Sequence, residues 1–135
     1  MKIVIAGAGE VGTHLAKMLS SNQNSITVID DKKDRLLSLS EYTDILTVEG
    51  SPSSIAVLKE AGVEDADLFI AVSPNDSQEV NIVSAILAKQ MGARKVTSRV
   101  DNEEYLSYEN KLLFTQMGID LMFYPERIAA NEIVE

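Results

Sequence analysis

The chain has 135 residues, 45% of them apolar and 24% charged, which suits one ordinary globular domain and argues against a disordered segment. It has no cysteine, which excludes a disulfide framework and a thiolate metal site and fits a reducing compartment. Its formal net charge of −9 opposes direct contact with nucleic acid or anionic lipid, and no apolar run approaches the roughly 18 residues of a membrane-spanning helix.

Lys2 to Ala6 is a short apolar run suited to a buried strand. Gly7, Gly9 and Gly12 follow in the spacing G-x-G-x-x-G, and Val11, Leu15, Met18 and Leu19 then recur at helical spacing. Ser25 to Ile29 reads as a second strand and ends on Asp30, 18 residues beyond Gly12. Together these make the full context of a dinucleotide fingerprint. Gly7 permits the tight turn out of the strand, Gly9 lets the backbone approach a pyrophosphate, and Gly12 lets the helix pack on the strand. The helix N-terminus offers free N–H groups to phosphates, and Asp30 can accept ribose hydroxyls. Taken singly, the glycines could serve only a positive φ, and Asp30 could only cap the next helix. The combination carries the nucleotide reading.

Lys33 to Tyr42 reads as a helix with Leu36, Leu37 and Leu39 apolar, and Asp30, Asp31 and Asp34 as its solvated acidic entry, not a metal cluster. Ile45 to Glu49 is a third strand. Gly50-Ser51-Pro52-Ser53 is a loop, with Ser53 or Ser51 expected to cap the helix that runs to Ala61. Leu68 to Val72 is a fourth strand, apolar without alternation, as in a parallel strand covered on both faces. The turn-rich loop Ser73-Pro74-Asn75-Asp76-Ser77 leads to a helix over Gln78 to Met91, stopped by Gly92. Lys95 to Val100 is strand five, Tyr105 to Met117 a helix, and Leu121 to Phe123 a sixth strand. Pro125 opens a last helix reaching Glu135, whose Ile128, Ala129 and Ile133 are expected to find no partner within these residues and to reach a second subunit.

Alternating strands and helices predict an α/β fold: a doubly wound, Rossmann-like parallel six-stranded sheet of order 3-2-1-4-5-6. Ligands of such sheets bind beyond the carboxyl ends of the strands, at the switch between strands one and four. That rule points to Gly7–Gly12, Asp30, Gly50 and Ser51 after strand three, and Ser73 and Pro74 after strand four. Residues 1–30 lack a signal-peptide pattern. The whole of 1–135 is expected to be one nucleotide-binding domain of a longer chain.

These residues resemble the N-terminal nucleotide-binding domain of TrkA-type potassium-uptake regulators, the RCK or KTN N-terminal family. The likeness runs from MKIVIAGAGEVGTHLAKML through ITVIDDKKDRL, where Arg35 matches a family basic position. The segment VEGSPSSIAVLKEAGVEDADLFIAVSPNDSQEVNIVSAILAKQMGARKVTSRV is more diagnostic than the glycines, and MGIDLMFYPERIAANEI matches the last strand and the start of a crossover helix. The resemblance implies a cytoplasmic gating subunit, not an enzyme. It would form a homodimer or higher homo-oligomer beneath a TrkH-like membrane potassium channel or transporter, and respond to NAD(H), with ATP or ADP as competing ligands. Carried over by position, it implies Gly7, Ala8, Gly9, Glu10 and Val11 for phosphates, Asp30 for ribose, Ser73 and Pro74 flanking the nucleotide, and Arg99 near it. Glu10 stands where ATP-responsive relatives carry arginine, which favours NAD(H). Ser51 stands where some members carry Asp or His.

His14, the one histidine, reads as a surface or packing residue, and Tyr105, Tyr108 and Phe114 read as core or interface. Arg99 could instead pair with a surface acid. The competing reading is the nucleotide domain of an NAD-dependent dehydrogenase whose substrate domain is absent, and a third is a general NAD sensor. Against catalysis, no acid–base pair or activated nucleophile is legible. A 2′-phosphate would meet the charge of Asp30 with no arginine immediately following, so NAD(H) is expected over NADP(H).

Overall fold

The computed structural model describes residues 1–20, 23–74, 77–125 and 133. Six parallel strands, β1 (Lys2–Ala6), β2 (Ser25–Asp30), β3 (Ile45–Glu49), β4 (Leu68–Ala71), β5 (Lys95–Arg99) and β6 (Leu121–Phe123), lie in the order β3-β2-β1-β4-β5-β6. This is the doubly wound order read from the sequence. Registers such as Ala6 opposite Ile29 and Ala71 bring the carboxyl ends of the central strands to one edge.

Helices cover both faces: α1 (Glu10–Ser20), α2 (Lys33–Leu37), α3 (Ile55–Glu60), α4 (Gln78–Met91) and α5 (Tyr108–Gln116). Strand side chains alternate between two apolar clusters. Ile3, Ile5, Leu68 and Ile70 point to the face where Leu15, Ala16 and Leu19 of α1 and Leu36 of α2 pack. Val4, Ala6, Phe69 and Ala71 point to the face where Leu58 of α3 and Ala85 and Ala88 of α4 pack. Phe69 is fully buried, and side chains of its class each contribute about 1.5–3 kcal/mol by leaving water. Burial on both faces is why β1 and β4 read as unbroken apolar runs.

Four local expectations differ. The helix expected to reach Tyr42 ends at Leu37. There Ser38 and Ser40 donate their hydroxyls to the carbonyls of Arg35 and Leu37, and i→i+3 bonds such as Leu39 N–H to Leu36 O at 3.0 Å tighten the chain. Leu36 and Leu39 are buried but Leu37 is exposed. The α3 cap is Ser54, whose Oγ accepts the Val57 N–H at 3.3 Å, while Ser51 and Ser53 bond to each other. The helix expected from Tyr105 to Met117 is a 3₁₀ turn, Glu103–Leu106, and then α5, because Ser107 takes an extended conformation and caps α5 through Asn110. Ile133 was expected to lack a partner; it is 3% exposed and joins the cluster containing Leu15 and Phe123.

The rest of the helix expected from Pro125, with Ile128 and Ala129, lies outside the described residues, as do Asn75 and Asp76. Tyr105 and Phe114 pack ring to ring at 5.1 Å, whereas Tyr108 is exposed. His14 is an exposed residue of α1, and no group of three or more His, Cys, Asp or Glu able to hold a metal occurs among the described residues. No helix of the described residues is long and apolar enough to cross a membrane.

Candidate functional site

At the carboxyl edge, the turn from β1 to α1 is held on three sides. Gly7 has φ +123°, a region that favours glycine, and donates its N–H to Ile29 O at 2.8 Å. A Cβ there would fall 2.5 Å from the Ser73 nitrogen. A Cβ on Gly12 would fall 1.8 Å from Gly7 O, so only glycine lets α1 begin this close to the strand. A Cβ on Gly9 would fall 2.8 Å from the Pro74 ring. The three glycines therefore have three different neighbours, and the Gly9 constraint comes from across the switch point.

Asp30 is the third side. It is 2% exposed; its Oδ2 accepts the Ala8 N–H at 2.8 Å and its Oδ1 the Lys32 N–H at 2.8 Å. Arg35 Nη1 lies 3.6 Å from Oδ2. The carboxylate thus fixes the glycine turn and keeps accepting capacity on each oxygen, since it has about four lone-pair directions. Thr13 adds a bond from its Oγ1 to Ala8 O at 3.0 Å.

A cavity of about 560 Å³ opens above this turn, lined by Gly9, Glu10, Val11, Arg35, Pro74, Arg99, Tyr124 and Pro125. Five of the residues expected at the site line it: Gly9, Glu10, Val11, Pro74 and Arg99. Gly7, Ala8, Gly12, Asp30 and Ser73 are buried and do not line it. Gly50 is tied to Asp30 O by its N–H at 3.0 Å, and Ser51 is exposed beyond it; neither borders the cavity. Arg35, Tyr124 and Pro125 line it without having been expected there. The signal for Tyr124 was the strand-end rule itself, since it follows β6 directly. For Arg35 it was the first turns of α2 after Asp30.

The cavity joins the N-terminal end of α1 to two guanidiniums from opposite halves of the sheet, Arg35 of α2 and Arg99 of β5. Arg99 Nε also bonds Asp101 Oδ1 at 3.2 Å. Free N–H groups, a helix dipole and two fixed cations suit a ligand with phosphate oxygens.

The TrkA-N domain model matches residues 3–125. The chain belongs to the TrkA-N family. It is 42% identical to the Trk system potassium uptake protein TrkA of Haemophilus influenzae over 98% of its own length and 29% of that protein's. This TrkA-N chain therefore spans under a third of that relative. Two solved structures share the fold at under 25% identity. The TrkA-N domain of the inner membrane protein ybaL from Escherichia coli superposes with a TM-score of 0.76 at 19% identity, covering 98% of this chain and 93% of that one. The GsuK channel bound to NAD superposes at 0.71 and 23% identity, covering 90% of this chain and 21% of that one.

Proposed function

We propose that this TrkA-N domain is the NAD(H)-binding regulatory unit of a potassium-uptake system, acting by gating and not by catalysis. The carrying observation is one cavity built from both halves of the sheet: Gly9, Glu10, Val11 and Arg35 from the first half, Pro74, Arg99 and Tyr124 from the second. A dinucleotide lying there has its pyrophosphate over the Gly7–Gly12 turn, its adenosine ribose toward Asp30 and Arg35, and its other end toward Pro74 and Arg99. A ligand shifts a conformational equilibrium only through different affinities for two states. One that bridges both halves favours the state in which they are drawn together, and so moves the helices behind them.

NAD(H) is the favoured ligand. Glu10, at the first position of α1, adds a carboxylate that disfavours the extra charge of a triphosphate, so ATP competes less well. The working form is at least a homodimer, docked on the cytoplasmic side against a TrkH-like membrane channel or transporter subunit. With a net charge of −9, the domain reaches the membrane through that protein and not through lipid. The test is potassium flux in vesicles holding the reconstituted complex, with and without NADH, for wild type and Gly9→Val. Wild-type flux responds to NADH and the variant's does not; identical responses remove the site as the switch.

A further inference from the structure

Beyond β4 the chain loses its strand neighbour. Val72 donates its N–H to Ala6 O at 2.8 Å, but the paired register of β4 ends at Ala71, opposite Ala6 and Ser98, so Ser73 lies past the ladders on both sides. Ser73 is buried, and buried peptide groups need partners. Asn81, the fourth residue of α4 and fully buried, supplies both. Its Oδ1 accepts the Ser73 N–H at 2.7 Å and its Nδ2 donates to Ser73 O at 3.0 Å. One planar amide thereby fixes a single loop residue in both distance and rotation.

The residue so held is the one that lies against the glycine turn. Gly7 has room only for hydrogen beside the Ser73 nitrogen, and Gly9 only for hydrogen beside the Pro74 ring. Gly9 and Pro74 both border the cavity; Asn81 does not. We propose that Asn81 is a positioning residue for the nucleotide site: its amide sets Ser73–Pro74 at the distance from Gly7–Gly9 that a pyrophosphate needs, and ties that distance to α4. The assignment rests on the nucleotide reading above. It also gives α4 a rigid link to the site, so a ligand that shifts the loop carries the start of the helix with it.

The experiment is calorimetric titration of the intact protein with NADH and with AMP, for wild type, Asn81→Ala and Ser84→Ala. Ser84 is buried in the same helix and donates to Asn81 O at 3.1 Å, so its loss perturbs α4 without touching the amide. NADH spans the glycine turn and the Ser73–Pro74 loop; AMP reaches only the adenosine side. Asn81→Ala should weaken NADH binding at least about tenfold while AMP stays within about twofold, and Ser84→Ala should leave both within about twofold. If Asn81→Ala does not fold, Asn81→Asp is used, which keeps an acceptor for the Ser73 N–H and loses the donor to Ser73 O. Equal weakening of NADH and AMP, unchanged NADH binding, or an equal effect of Ser84→Ala overturns the assignment alone. A wild type that binds neither nucleotide overturns the functional reading together with it.

Discussion

Asp30 keeps its charge out of water by accepting the N–H groups of Ala8 and Lys32, with Arg35 3.6 Å away. In the proposed function the same carboxylate would accept ribose hydroxyls and repel a 2′-phosphate. Arg35 is the cation a 2′-phosphate would need, and the sequence, with no arginine directly after Asp30, did not place it there. Hydrogen bonds to a charged group contribute about 1.5–3 kcal/mol, so NADH should bind about 10- to 100-fold more tightly than NADPH. Asp30→Asn should narrow that gap, because it removes the repelling charge and releases Arg35. Calorimetry with both cofactors decides it; equal affinities in wild type would refute the role of the charge.

Among the elements, α3 shows how one hydroxyl sets a boundary. Ser54 Oγ accepts the Val57 N–H, and removing such a cap costs about 0.5–2 kcal/mol. Ser54→Ala should lower the urea midpoint accordingly and leave NADH affinity unchanged, whereas Ser51→Ala should move the midpoint less, since Ser51 bonds only within its loop. The β1–α1 turn responds differently. Saturation with NADH at 100 times its dissociation constant should stabilise wild type by about 2.7 kcal/mol. Gly9→Val should abolish that gain, because its side chain occupies the pyrophosphate approach. Its Cβ would also fall 2.8 Å from the Pro74 ring, so the unliganded variant should itself lose about 1–3 kcal/mol as Pro74 is displaced. Thermal unfolding with and without NADH measures both effects; a full ligand-induced gain in the variant would show that the turn does not hold the phosphates.

Across the whole molecule, the two edges of the sheet do different work. The carboxyl edge carries the cavity, and the amino edge carries ties that hold strands together. There Asp67 Oδ2 accepts the Lys2 N–H at 2.8 Å, and Arg94 lies 3.6 Å from Oδ1. The Lys2 N–H, helped by the charges of Arg94 and the N-terminus, outweighs partial burial and holds the Asp67 carboxyl below the usual carboxylate range. A lowered folded-state value means the unfolded chain takes up the proton first. The stability Asp67 contributes is therefore complete above the unfolded-state value and is lost as pH falls through the lowered one. Asp67→Asn should be less stable than wild type near neutral pH, with the difference shrinking as the pH falls through and below the ordinary carboxylate range. Denaturant titrations across that range check it, and a difference independent of pH would rule out the charge as its source. Nucleotide affinity should not change, since the tie lies at the opposite edge from the cavity.

What the sequence determined by itself was whatever local patterns encode. Strand positions, the order of the sheet, the three-glycine turn and the carboxylate closing β2 all follow from apolar periodicity, glycine spacing and the handedness of parallel crossovers. Helix ends at Leu37 and Ser54 were less legible, because several neighbouring serines compete for the same backbone groups and only the folded geometry selects one. The walls of the cavity were decided by tertiary structure alone. Arg35 and Tyr124 are 89 residues apart in sequence and meet only because β2 and β6 end at the same edge. Nothing in the sequence sets Asn81 apart from the other polar residues of α4, yet it is fully buried. Its partner is the backbone of Ser73, two residues past the paired end of β4 at Ala71, a fact of sheet geometry that no local pattern in α4 carries.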